Sequence, residues 1–257
     1  MKIKKITLPQ IESGKKIFFA SDFHLGSPNF LATQEREKKI VRWLDEISSS
    51  AHAIFLLGDL FDFWFEYKYV IPKGFVRLQG KIAELTDQGI PVFFFTGNHD
   101  MWMFDYFQKE LGVTIFHSPV ELEIQHKKLL IGHGDGLGPG DFTYKIIKRF
   151  FENRFCQWLF SILPTKIGFG IATNWSKHSR SQNIEKDQKF LGEKEHLTQF
   201  CKELEVKNHY DYYIFGHRHL PLEIPISENS KYINIGEWIS QCSYGVFENS
   251  QFDLKYY

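Results

Sequence analysis

The chain has 257 residues, no net charge, 43% hydrophobic and 17% aromatic residues, with 26 Phe. That length suits one large domain, or one domain carrying a sizeable insertion. The neutral balance argues against a partner held by bulk charge, nucleic acid above all. The three cysteines, Cys156, Cys201 and Cys242, form no CxxC pair, and an odd, sparse set argues against a disulfide framework. The segment MKIKKITLPQIESGKK has no apolar stretch of the kind a secretory signal needs, and no run of 18 apolar residues occurs anywhere. The expectation is a cytoplasmic protein able to touch a membrane surface.

Short apolar runs alternate with amphipathic stretches from residue 17 to 135. KIFFASD (16–22) reads as a buried strand. Residues 33–48 place Ile40, Val41, Leu44 and Ile47 at helical spacing. AIFLLGD (53–59) is a second strand, 74–89 a second helix stopped at Gly89, PVFFFTGN (91–98) a third strand, and 102–112 a short helix ended by Gly112. VTIFH, PVELEI and KKLLIGHGD supply three more strands. Strands alternating with helices predict a layered α/β fold with a largely parallel core. Beyond residue 205, four closely spaced strand patterns predict antiparallel pairing that completes this sheet or builds a second one.

Residues 137–200 differ. Between 137 and 182 there are seven Lys/Arg against Asp141 and Glu152, so this segment is basic in a neutral chain. It is also aromatic-rich, and it reads as a helical insertion dividing a core made of 1–136 and 201–257.

Each core strand runs into side chains that bind metals. In order these are Asp22-Phe23-His24, Gly58-Asp59, Gly97-Asn98-His99-Asp100, Gly132-His133-Gly134-Asp135 and Gly216-His217-Arg218-His219. Any one is weak evidence: Gly-Asp is ordinarily a turn, and Asp-x-His recurs by chance. Five in this order, each after an apolar run, point to one site, because ligands in open α/β sheets bind beyond the carboxyl ends of strands. In extended backbone, residues i and i+2 face the same way, so Asp22 with His24, and His217 with His219, are expected to reach common points. Asp22, His24, Asp59, Asn98, His133, His217 and His219 offer oxygen and nitrogen without thiolate, which suits Mn²⁺, Fe or Zn²⁺. Seven ligands suit two divalent ions with one carboxylate between them. His99 then enters the same site as a catalytic group that stabilises phosphate charge or protonates a leaving oxygen. Asp100 is expected to accept the other ring N–H of His99 and fix its tautomer.

The ordered motifs D-x-H, GD, GNHD, GH and GHxH, spanning about 17–236, resemble the calcineurin-like metallophosphoesterase superfamily. The resemblance implies a four-layer α/β/β/α sandwich and a two-metal centre. Asp22, His24, Asp59 and His219 would hold one ion, and Asp59, Asn98, His133 and His217 the other. GDLFDFWFEY (58–67), the HGD at 133–135 and NWSKHSRSQN (174–183) more narrowly resemble the UDP-2,3-diacylglucosamine diphosphatase family of lipid A biosynthesis, whose members carry a helical lid between HGD and GHxH. That resemblance implies hydrolysis of a UDP-linked acylated sugar, usually with Mn²⁺, giving UMP and 2,3-diacylglucosamine 1-phosphate. The chain departs from that family in carrying His99 where Arg often follows the metal-binding Asn.

Two acyl chains need an apolar groove. Ile146, Ile147, Phe150, Phe151, Phe155, Trp158, Leu159, Phe160, Ile162 and Leu163 could line one, and the basic lid suits the cytoplasmic face of the inner membrane. Asn98 and His99, with Asn174, Ser176, Lys177 and Arg180 from the lid, are candidate contacts for sugar and phosphate. Asp62 and Trp64 would pack the site wall. No obligatory protein partner is indicated. The rival readings are a phosphodiesterase or pyrophosphatase of the same superfamily acting on another nucleotide or a soluble phosphoester, and a non-catalytic scaffold that binds protein through its aromatic lid.

Overall fold

The computed structural model describes residues 3–140, 142–187 and 189–257, without side chains for 177–187 and 193. An edge strand, β1 (Lys4–Ile6), is followed by β2 (Lys16–Ala20), α1 (Phe30–Ser48), β3 (Ala51–Leu56), α2 (Val76–Asp87), β4 (Val92–Phe95), α3 (Tyr106–Leu111) and β5 (Thr114–Phe116). A hairpin, β6 (Val120–Ile124) and β7 (Lys127–Ile131), leads into α4 (Phe142–Glu152), α5 (Arg154–Ile162) and α6 (Thr165–Asp187). After a short turn of 3₁₀ helix come α7 (His196–Glu205), β8 (Tyr212–Phe215), β9 (Leu222–Ser227), β10 (Ser230–Asn234), β11 (Ser243–Glu248) and β12 (Gln251–Tyr256). They form two six-stranded sheets, ordered β12-β11-β2-β3-β4-β5 and β1-β6-β7-β8-β10-β9.

The layers follow from the strands' period of two. Phe18, Ala20, Ile54, Leu56 and Phe94 face one way, into α1, α2 and α3. Ile17, Phe19, Ala53, Phe55 and Phe95 face the other, meeting Leu122, Leu129, Ile214 and Ile233 of the second sheet. Both faces of β2, β3 and β4 are covered, which is why they read as continuous apolar runs. The far side of the second sheet presents Leu130, Tyr213 and Tyr232 to Leu197 and Cys201 of α7. Helices, sheet, sheet and helix make four layers. Part of the phenylalanine excess fills the space between the sheets: Phe19 stacks on Phe55 (5.2 Å between ring centroids), Phe55 on Phe93 (4.6 Å) and Phe93 on Phe116 (6.0 Å).

Local details differ from the periodicity reading for identifiable reasons. α1 starts at 30, not 33, because Asn29 caps it, its Oδ1 accepting from Ala32 N at 3.0 Å. α2 starts at 76, after Phe75 in the left-handed region (φ 56°), where Glu37 of α1 accepts from Arg77 N (2.9 Å) and Leu78 N (3.1 Å). α3 is shorter than 102–112 because Trp102 is drawn into a bridge with Phe65. The tail is only partly antiparallel. β9 and β10 form a hairpin and β11 pairs antiparallel with both β12 and β2, but β10 lies parallel to β8, since β9 takes the sheet edge. β1 and β12 carry no strong apolar run and were not expected. α7 runs across the expected boundary at 200 and packs on the second sheet through Leu197 and Cys201.

One carboxylate organises the segment after β4. Glu66 is buried, and its Oε2 accepts from Phe104 N and Asp105 N (2.8 Å each) and Tyr106 N (3.1 Å), the amides that open α3. Its Oε1 accepts from Trp64 Nε1 at 3.2 Å. Glu66→Ala removes the only acceptor these amides have among the described residues. Urea denaturation should show a loss of about 2–4 kcal/mol, as for other buried unsatisfied donors. An unchanged midpoint would refute the clamp.

Candidate metal centre

The motif residues converge, but not through extended backbone. Asp22, His24, Asp59, His217 and His219 all sit in the left-handed region, with φ between 44° and 72°. Each such residue costs roughly 1–3 kcal/mol and persists only where its surroundings enforce it. The enforcement is a set of cross-links between strand ends: Asp22 N to Gly58 O (3.1 Å), His24 N to Asp59 O (2.9 Å), Trp238 N to Asp22 O (3.1 Å) and Gly216 N to His133 O (2.9 Å). Gly58 explains why the second motif begins with glycine: its φ is +93°, and a Cβ there would sit 2.7 Å from His133 Nδ1.

Three groups of donors result, each with ligand atoms within 4.8 Å of one another: Asp22, His24 and His219; His24, Asp59 and His99; and Asp59, His133 and His217. The i, i+2 expectation therefore holds for Asp22 with His24 but not for His217 with His219, because the turn between the two histidines sends them to opposite ends of the cluster. Asp59 lies between, its Oδ2 3.5 Å from His133 Nε2 and 3.9 Å from His24 Nε2. Asn98 joins the third group: its Oδ1 is 3.1 Å from His217 Nδ1 and 3.3 Å from His133 Nε2.

The donor set fits divalent cations. His24 Nε2 and His219 Nε2 face each other at 2.9 Å. Asp22 Oδ2 accepts from His217 N (3.0 Å), whereas Oδ1, fully buried, receives no hydrogen bond and lies 3.2 Å from His219 Nε2 and 3.6 Å from His24 Nε2. Ring nitrogens and a carboxylate oxygen aimed at one gap are unfavourable until a cation fills it. Burial holds His24 and His217 down to about 4, so their rings keep a lone pair. Burial opposes charge on His133 as well, but Asp59 beside it carries it up to about 10. For Asp22 and Asp59, burial is overcome by the surrounding rings, and both stay well below the usual carboxylate range.

His99 stands at the edge of this cluster. Its Nδ1 is 3.1 Å from Asp62 O and 3.0 Å from Ser176 Oγ. A carbonyl only accepts, so Nδ1 carries the hydrogen and Nε2 is left for the site. The expected Asp100 contact is absent. Asp100 is fully buried and accepts instead from Gly97 N and Leu60 N, both at 2.8 Å, and weakly from Asp59 N (3.3 Å). Its carboxylate points back under the motif loop because those amides end their strands there without ladder partners. It is a brace for the loops that carry Asp59 and Asn98. Burial and the negative Asp59 nearby push its carboxyl up to about 7.

Ser176, expected to meet substrate, has its hydroxyl within 3.2 Å of Asp62 O as well as against His99, and it is buried. It positions His99. Asn174 is exposed and lines neither of the two cavities, of about 300 and 330 Å³, that flank the cluster. The side chains of Lys177 and Arg180 lie outside the described residues. Asp62 does pack the wall, its Oδ1 3.8 Å from His24 Nδ1.

An apolar cavity of about 300 Å³ opens beside Asn98 and His99. Phe151, Phe160 and Trp175 of the lid helices close it against Phe63 and Trp102. Of the ten apolar residues expected to form a groove, only Phe151 and Phe160 line it; Ile146, Phe150, Phe155, Trp158, Leu159 and Ile162 are exposed. Met101, Trp102 and Trp175 complete the lining, and of these only Trp175 lies in a motif quoted above, NWSKHSRSQN.

The calcineurin-like phosphoesterase family model matches residues 15–221. The chain belongs to this family. Among curated relatives of this phosphoesterase, UDP-2,3-diacylglucosamine hydrolase of Porphyromonas gingivalis is 35% identical over 255 residues, covering 93% of this chain and 97% of that one. The enzymes of the same name from Vibrio vulnificus and Aeromonas salmonicida are each 28% identical, covering 88% of this chain and 90% and 87% of theirs.

Two variants separate the roles in this phosphoesterase centre. Asp59→Ala should purify with most of its divalent metal gone by elemental analysis, and wild-type occupancy in that variant would end the shared-carboxylate reading. Asp100→Ala strands two or more buried amides and should lose about 2–4 kcal/mol in urea denaturation.

Proposed function

We propose that the protein hydrolyses the diphosphate bond of UDP-2,3-diacylglucosamine, giving UMP and 2,3-diacylglucosamine 1-phosphate, with two divalent cations, Mn²⁺ foremost. The observation that carries this reading is the aromatic cavity of about 300 Å³ whose wall includes Asn98 and His99. A soluble phosphoester has no use for such a wall, whereas acyl chains entering it gain about 25 cal/mol per Å² of apolar surface removed from water. The names of the curated relatives, matched over most of their length, support the same substrate.

Asp22, His24, Asp59 and His219 would hold one cation, and Asp59, Asn98, His133 and His217 the other. When bound, the cations supply Lewis acidity to the phosphoryl oxygens and to the attacking water. The chain does the rest. His99, with Nδ1–H committed to Asp62 O, presents Nε2 to the phosphate as the atom that would meet its oxygens through a hydrogen as negative charge builds on them. Ser176 and the Asp62 carbonyl keep the ring from turning. Trp102, Phe160 and Trp175 exclude water from the acylated sugar. The leaving phosphate is a weak base, so charge stabilisation outweighs proton donation.

On the same reading, residues 137–200 form the lid. Trp102 Nε1 donates to Phe151 O at 2.8 Å, and Phe160 packs on Trp102 and Phe65 at 4.8 Å each. The outer faces of α4 and α5 leave Phe150, Phe155 and Trp158 exposed beside Arg154, which suits peripheral contact with an anionic bilayer. No helix among the described residues is long and apolar enough to cross a membrane.

Turnover of UDP-2,3-diacylglucosamine with Mn²⁺ in ¹⁸O-water, followed by mass spectrometry, should give the two products with one label between them. Equal turnover of a soluble UDP-sugar would remove the acyl requirement. His99→Ala should keep its metal while kcat falls about a hundredfold, the usual scale for a lost charge-stabilising group.

A further inference from the structure

A second cavity, of about 330 Å³, opens on the other side of the same corner. His133 stands in its wall as Asn98 stands in the wall of the apolar cavity, and these two side chains are 3.3 Å apart. The cavities therefore flank one pair of neighbouring donors. Helix α4 runs between them with two unlike faces. Phe151 faces the apolar cavity, while Lys145, Lys148, Arg149 and Glu152, at i, i+3, i+4 and i+7, face the second.

The cations of that face are not equally committed. Lys148 pairs with Asp135 at 2.7 Å and lies 3.9 Å from Glu152. Lys145 donates to Gly138 O. Arg149 is exposed and has neither ion pair nor hydrogen bond among the described residues. Opposite lie Thr96, His117 and Ser118, with Thr96 Oγ1 3.3 Å from His117 Nδ1. The second cavity thus combines an uncommitted guanidinium, a polar wall and an edge on the donor cluster, at the low end of the volume of small-ligand sites.

The substrate has two halves of opposite character joined by a diphosphate. The apolar cavity suits acyl chains and is wrong for a phosphorylated nucleoside, whose charge and hydrogen-bonding atoms would be stranded among aromatic rings. We propose that the cavity beneath α4 holds the nucleotide half, with Arg149, supported by Lys145, meeting its phosphate and the Thr96–His117–Ser118 wall meeting its sugar and base. This rests on the reading of the substrate as a UDP-linked acylated sugar. It makes α4 a partition, so that the scissile diphosphate spans His133 and Asn98 while each product leaves from its own side.

The test uses titration calorimetry of the Mn²⁺-loaded protein with UMP, with inorganic phosphate and with 2,3-diacylglucosamine 1-phosphate. Arg149→Ala should weaken UMP binding about tenfold or more, the scale of one lost charge-assisted hydrogen bond, and leave the acylated product's affinity unchanged. Trp175→Ala should do the reverse. Arg149→Lys should recover part of the UMP affinity, because charge returns without the fork. Arg149 is exposed, so its loss does not strand a buried group. Unchanged UMP affinity in Arg149→Ala, in a protein whose wild type hydrolyses the substrate, overturns the subsite alone. Phosphate binding as tightly as UMP overturns the nucleotide assignment and leaves a bare anion site. A wild type that neither binds UMP nor hydrolyses UDP-2,3-diacylglucosamine overturns the substrate reading and the subsite together.

Discussion

The register between β2 and β3 determines the centre. Ala20 lies against Leu56, and the chains then leave the sheet still tied together, through Leu57 N to Ala20 O, Asp22 N to Gly58 O and His24 N to Asp59 O. That ladder places Asp22 and Asp59 side by side and aims them inward. A slip of one residue would exchange the two faces of β3 and send Asp59 toward the helices, destroying the apolar layers and the site at once. The packing of Phe19 on Phe55 and of Phe18 and Ile54 against α1 and α2 therefore sets ligand geometry as well as stability.

Much of the centre was legible because its residues are consecutive with the strands that deliver them. A motif such as AIFLLGD contains both the buried run and the carboxylate it presents, so seven candidate ligands could be named from order and type. What the sequence concealed depends on backbone sign and on distant partners. No pattern distinguishes an extended Asp-x-His from one whose residues have positive φ, and so His217 and His219 were expected to face one point. Asp100 next to His99 reads as its partner by adjacency alone. In three dimensions the amides of Gly97 and Leu60 compete for that carboxylate, and a buried N–H without an acceptor is the costlier outcome. Ser176, far away in sequence, takes the place beside His99.

The lid follows different rules from the core. Its helices α4 and α5 bury no residue fully, and they are joined to the sandwich by aromatic contacts on Trp102 and Phe65, by the Trp102–Phe151 hydrogen bond and by polar contacts of Lys145 and Lys148 with Gly138 and Asp135. Sequence could register that this segment is aromatic and basic. It could not say which rings turn inward, since Phe150 and Phe151 share the one broad apolar side of α4 and periodicity does not separate them. The structure resolves this: Phe151 and Phe160 go in, Phe150 and Phe155 stay out.

The left-handed residues at the strand ends bear on what the fold itself requires. Glycine tolerates their backbone better than aspartate or histidine does. A mutation of such a position to glycine therefore deletes a donor and relaxes the chain in one step, while the sandwich beneath is untouched. The fold therefore has no need of the donor set it carries: the strained ligands serve the centre alone, and the layers beneath would stand without them.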